Sequence, residues 1–206
     1  MGLDDERQAR AQQAPLVGGL PPNAPGISAA IRLTPGLGVH LRGLADELLV
    51  HDFPGATISR PEREMLATAV SAGNGCFFCM DSHAAHASAL LEQVGATDVL
   101  PVLDQLTTGS EPAVGPKMRA LLNISSTVRR NALELTSEDI DAACAAGASD
   151  ADIQLAVLIA AAFSMYNRMV DGLRAPTSPV VDVYRQRASE IATYGYSAPP
   201  PTNKPD

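Results

Sequence analysis

Apolar positions along this chain recur at three- and four-residue intervals and show no sustained alternation, which predicts helices and no strand. A short helix is expected over Ile27 to Leu33, ended by the Pro35-Gly36-Leu37-Gly38 break. From Val39 to Val50, Leu41, Leu44, Leu48 and Leu49 share one side, with His40 and His51 as surface or cap residues at the ends. Ser59-Arg60-Pro61-Glu62 reads as a helix start: an N-cap serine, a proline in the first turn and a glutamate three on from the serine. That helix carries Met65, Leu66, Ala69 and Val70 on one face and stops near Gly73. A second runs from the Cys76 region through Leu91, with Gly95 as its stop. Shorter helices are expected over Val99 to Leu106 and Pro116 to Val128.

The last ordered third is sharply patterned. Thr136-Ser137-Glu138-Asp139 opens a helix that Gly147 stops, and Ser149-Asp150-Ala151-Asp152 caps the next, which runs to about Gly172. Apolar residues surround this last helix almost completely, so it is either central or buried in a subunit interface. Val181 to Ala192 makes one more amphipathic helix. Pro- and Gly-rich composition marks residues 1–26 as a flexible N-terminal arm and 193–206 as a disordered tail. Between them, 27–192 reads as a single all-α domain with no linker dividing it. Residues 59–91 and 136–172 echo one another as a capped helix, a Gly break and a second helix.

Composition supports helices and narrows the function. Of 206 residues, 46% are hydrophobic and only 4% aromatic, so Ala, Leu, Val and Ile must build the core. The net charge of −8 argues against nucleic acid and against a polybasic membrane-surface protein. No run of about 18 uncharged apolar residues predicts a membrane span, and the acidic N-terminus is not a secretory signal. Three cysteines, two of them a close pair, make no disulfide framework and suit a reducing, cytoplasmic compartment.

The chemistry gathers in Gly73-Asn74-Gly75-Cys76-Phe77-Phe78-Cys79-Met80-Asp81-Ser82-His83. On a helix, Cys76, Cys79 and His83 fall at i, i+3 and i+7, on one face. Cys76 in the first turn would meet unpaired N–H groups and the helix dipole, which favour a thiolate. The pair admits three readings: a dithiol that cycles through a disulfide, part of a zinc site, or two inert buried cysteines. Zinc would need a fourth ligand from His86, Asp81 or Glu64, since Cys144 stands alone. As a dithiol, one thiolate attacks and the other resolves, with His83 as base and Glu64 behind it from the preceding helix.

Those residues carry a family pattern. Glu64, eleven intervening residues, Cys76-x-x-Cys79 and then, after three residues, His83 stand in register with the signature of the alkylhydroperoxidase D-like (AhpD-like) branch of the carboxymuconolactone decarboxylase family, which the chain resembles over roughly 25–190. Phe163-Ser164-Met165-Tyr166-Asn167-Arg168-Met169-Val170-Asp171-Gly172-Leu173 is similar to a segment of its peroxidase-related members. The resemblance implies an all-α fold of helical hairpins forming a homo-oligomer, and thiol-dependent reduction of a small-molecule hydroperoxide. It makes Cys79 the peroxidatic cysteine, Cys76 its resolving partner, and Glu64 and His83 the proton relay. It implies an external dithiol or lipoyl-type reductant. No bound cofactor is expected, and no metal, since no second cysteine pair completes a ligand shell. Better-known members have a histidine directly before the second cysteine; Phe78 stands there instead and makes the thiol's surroundings more apolar, which should raise its pKa. The other readings are a lactone decarboxylase like the family's other branch, which generally lacks the pair, and a non-enzymatic helical oligomer switched by redox or metal. Asn167, Arg168 and Asp171 stand out as polar residues on an apolar helix, suited to an intrahelical network, a subunit contact or a substrate-facing role.

Overall fold

The computed structural model describes residues 2–197. Among these, ten α-helices and two short 3-10 turns account for the regular structure, and there is no strand. The helices are α1 (Leu3–Ala11), α2 (Ile27–Arg32), α3 (Pro35–Leu49), α4 (Arg60–Gly73), α5 (Phe77–Gln93), α6 (Leu100–Thr108), α7 (Pro116–Asn131), α8 (Ser137–Ala145), α9 (Asp150–Leu173) and α10 (Asp182–Tyr194). Every helix expected from the pattern is present. The all-α fold class holds.

The helix starts follow their caps. Glu62 accepts from the Ser59 amide and hydroxyl, each at 2.7 Å. Thr136 and Asp139 exchange bonds of 3.0 and 3.3 Å, and Ser149 and Asp152 a reciprocal pair at 3.0 Å. Expectation fails at Pro35-Gly36-Leu37-Gly38, which begins α3 rather than breaking the chain. Proline's fixed φ and missing donor suit the first helical position, and Pro35 takes it.

Helix α4 lies at the centre, packed on α5, α9, α7 and α6, while α10 covers α5 from the other side. Helix α9 is long and apolar enough to cross a membrane by length and composition. Here it is a core helix: Leu155, Ile159, Phe163 and Val170 are buried, and α7 and α4 pack on it.

Both ends of the chain depart from expectation. The arm contains α1, fastened by Arg7, whose Nε and Nη2 donate to Asp81 Oδ2 and Oδ1 at 2.8 and 2.9 Å. Both side chains are buried, so this fork is the charge partner that allows Asp81 to face the interior of α5. At the other end α10 continues to Tyr194, and Gly195 (φ +78°) turns the chain back so that the Tyr196 and Ser197 amides donate to Asp46 at 2.6 and 2.9 Å. A Cβ at Gly195 would sit 2.7 Å from Asp46 Oδ1, so the turn needs glycine for space and for φ. The tail expected over 193–206 is therefore ordered through Ser197; 198–206 lie outside the described residues.

Candidate active site

Helix α4 ends at Gly73, Asn74 and Gly75 make the turn, and α5 runs back along α4. This hairpin sets Glu64 against α5. The Glu64 side chain is fully buried, and Oε2 lies 2.7 Å from Nδ1 of His83, itself buried. Tyr196 closes the group: its hydroxyl is 2.7 Å from Glu64 Oε1, 3.0 Å from His86 Nδ1 and 3.3 Å from His83 Nδ1.

The hydrogen positions follow from who can donate. Burial alone would push the Glu64 carboxyl up; the bond from His83 and the nearby His86, 3.8 Å away, outweigh it and hold it at about 2, so the group is a carboxylate and only accepts. His83 Nδ1 therefore carries hydrogen. The Tyr196 hydroxyl donates to Glu64 Oε1, and its oxygen accepts from His86 Nδ1. Burial, and then the Glu64 charge, raise the Tyr196 phenol well above its ordinary value, while burial pulls His86 down against the pull of Glu64. Nδ1 of His83 is taken by Glu64, and Nε2 is its other ring nitrogen.

His83 lines a cavity together with Cys79, Ser82, His86 and Tyr196. Cys76 does not line it. Cys76 is the N-cap residue of α5 rather than a first-turn residue, and it is completely buried. The expectation of a thiolate at Cys76 fails: the adjoining Cys79 thiol, and then burial, push the Cys76 thiol far above its usual range. Cys76 keeps its proton next to Cys79. Neither forms a disulfide in this structure.

Phe78 forms part of the cavity wall and meets Tyr184 edge-on at 5.6 Å. Gly26, at φ +51°, lies flat against the Phe78 ring, where any Cβ would overlap it. Asn167 is a structural residue: it donates to Ser71 Oγ at 3.0 Å and accepts from Asn74 at 2.8 Å, tying α9 to the α4–α5 turn. Arg168 bonds the Ser164 carbonyl at 2.8 Å. Asp171 pairs with Arg10 of α1 at 3.7 Å rather than with Arg168.

For a metal, Glu64, His83 and His86 each offer one ligand atom, all within 4.8 Å of one another. The sequence-derived zinc set differs: Asp81 is occupied by Arg7, and the cysteines are outside this group. Within the cluster, the Tyr196 hydroxyl contacts all three residues. Of the groups meeting here, Tyr196 is the one sequence reasoning missed. A tyrosine 132 positions from Glu64, in a Pro-flanked tail, carries no local signal.

Residues 40–124 match the model of the Carboxymuconolactone decarboxylase family. That stretch holds Glu64, both paired cysteines, His83 and His86. The fold agrees. The chain is similar to an alkylhydroperoxidase AhpD core structure, an uncharacterized peroxidase-related protein from Ralstonia eutropha JMP134, with TM-score 0.65 and 23% identity over 80% of this chain and 81% of that one. It is also similar to an uncharacterized peroxidase-related protein from Silicibacter sp. TM1040, with TM-score 0.60 and 21% identity over 71% of this chain and 73% of that one. No curated protein matches the sequence significantly.

Proposed function

We propose that the protein is a dithiol-dependent hydroperoxide reductase acting through Cys79 and Cys76. The observation carrying this reading is the buried 2.7 Å contact between His83 Nδ1 and Glu64, which leaves His83 Nε2 as a base in the cavity that Cys79 lines. The Cys79 sulfur gives its proton to His83 and attacks the distal peroxide oxygen. An S–O bond forms, the O–O bond breaks, and the proton leaves with the alcohol, so that Cys79 becomes a sulfenic acid. The Cys76 thiol, protonated and adjoining, then attacks that sulfur; S–S forms and water departs. An external dithiol, of lipoyl type by family resemblance, reduces the disulfide and is itself oxidised to one. Glu64 fixes the His83 tautomer and stabilises the transient imidazolium. The cysteine pair favours this chemistry over a decarboxylase role. A reducing cytoplasmic setting and assembly as a homo-oligomer belong to the same proposal, as do the absence of a cofactor, nucleic acid or membrane partner.

The test is peroxide consumption with a dithiol reductant, comparing wild type with Cys79→Ser. The variant should fall to the rate without protein. Equal rates would overturn the assignment.

A further inference from the structure

The cavity that Cys79 lines carries apolar walls and two arginines. Ile27, Ile31, Leu41, Phe163 and Ile191 line it, and Cys79 and His83 lie buried within it. Two arginines also line it: Arg187, exposed on α10, and Arg42, half-buried on α3. Among the described residues neither has a carboxylate partner. Arg187 Nη1 donates to Ser28 Oγ at 3.3 Å. Asp46, one turn along α3 from Arg42, has its oxygens taken by the Tyr196 and Ser197 amides. Burial, and then the charges of Arg187 and Arg32, lower the Arg42 pKa. The charge of Arg187 is felt as deep as His86.

This cluster is unexpected in a chain of net charge −8. Like charges held together beside an apolar surface are destabilising until an anion neutralises them. A guanidinium fork matches a carboxylate in geometry as well as charge. The walls, with Ile27, Ile31, Leu41 and Ile191 among them, take hydrocarbon.

We propose that the cavity is a binding site for an amphipathic carboxylate, with its head on Arg42 and Arg187 and its apolar chain directed toward Cys79. Taken with the function proposed above, on which this last step rests, the substrate is a fatty-acid-type hydroperoxide, reduced to the corresponding hydroxy acid by the steps already given.

Binding is measured on the full chain by calorimetry, using decanoate and decan-1-ol, which share the chain and differ in the head. Decanoate should bind wild type about tenfold tighter or more, a difference of ~1.4 kcal/mol, and the margin should shrink as salt rises. Arg42→Met with Arg187→Met should erase the margin, while the paired lysine variant should keep part of it. Decanoate, but not acetate at equal concentration, should slow alkylation of Cys79. Equal binding of acid and alcohol, a margin that survives in the methionine variant, or unprotected Cys79 would overturn the proposal. These readouts need no turnover. A protein that binds decanoate in this way but consumes no peroxide refutes the peroxidase reading and leaves the carboxylate site standing.

Discussion

The α4–α5 and α8–α9 hairpins begin alike and diverge where their second helix starts. Each opens on an N-cap residue answered three positions later, and each turns at a glycine of positive φ, Gly75 or Gly147. In the second hairpin Ser149 and Asp152 cap α9 fully. In the first, Cys76 stands at the N-cap of α5 and no side-chain oxygen caps that helix. The buried carboxylates differ in the same sense. Burial would raise both Glu64 and Asp152, and hydrogen bonds hold both at about 2. Asp152 is held by the Thr57 hydroxyl and by the amides of Thr57, Ile58 and Ser149, groups that do not titrate near neutrality. Glu64 is held by His83, His86 and Tyr196, all of which can trade protons. The partners, rather than the burial or the shift, separate a carboxylate that joins a loop to a helix from one suited to chemistry.

The sharpest break between the hairpins is at their cysteines. Cys79→Ser should abolish dithiol-dependent peroxide turnover, while Cys144→Ser on exposed α8 should leave it intact. Equal losses in both would remove the contrast. One step down, His83→Gln should slow turnover by about a hundredfold, the usual scale for losing a general base. Glu64→Gln should cost less and should also change the pH profile, because it removes the group that fixes the imidazole rather than the base itself.

Stability tests the second hairpin. Asp152→Ala strips partners from three backbone amides and a hydroxyl where the 57–58 segment meets the start of α9. It should cost about 2–4 kcal/mol in denaturant unfolding, with turnover per folded molecule unchanged. In acid the two carboxylates should act together. Each has a folded pKa below its unfolded one, so each stabilises the fold at neutral pH and loses that contribution as pH falls from the ordinary carboxylate range, about 4, toward about 2. Glu64→Gln and Asp152→Asn should each flatten part of that loss. An acid limb identical to wild type in either variant would show that its carboxylate is not held down as described.

What could be read in the sequence was whatever is encoded locally. The capping boxes at Ser59, Thr136 and Ser149 sit within four residues, so the helix starts there were legible. The Glu64–His83 contact spans 19 positions but lies within one hairpin, and the motif spacing exposed it. Arg7–Asp81 and Tyr196–Glu64 span 74 and 132 positions. Nothing near Arg7 or Tyr196 marks a partner, and surrounding Gly and Pro residues suggested loose ends. Composition reports what a segment lacks for building its own core; it does not report that one of its side chains completes another segment's core. Cys76 was misread for a related reason. The helix-start rule favours a thiolate, but burial against a second thiol outweighs it, and that burial is a tertiary fact.

The smallest effect on turnover is expected at Tyr196, and it tests the Glu64 cluster most finely. In Tyr196→Phe the ring can keep its place while Glu64 Oε1 loses a donor and His86 Nδ1 loses its acceptor. The change should cost about 1–2 kcal/mol in stability and only a few-fold in rate, because the His83–Glu64 contact remains. Its larger consequence is for metal. In wild type the hydroxyl sits among Glu64, His83 and His86 and contacts all three, so a divalent ion must displace it. Without it, two imidazole nitrogens and a carboxylate are free to converge, a ligand set suited to zinc. Zinc titration should therefore show weak binding in wild type and at least about tenfold tighter binding in Tyr196→Phe, the scale on which such outer partners tune metal sites. Tight stoichiometric zinc in wild type, lost in His86→Ala, would mean that this cluster is a metal centre and that Tyr196 serves as a ligand rather than a plug.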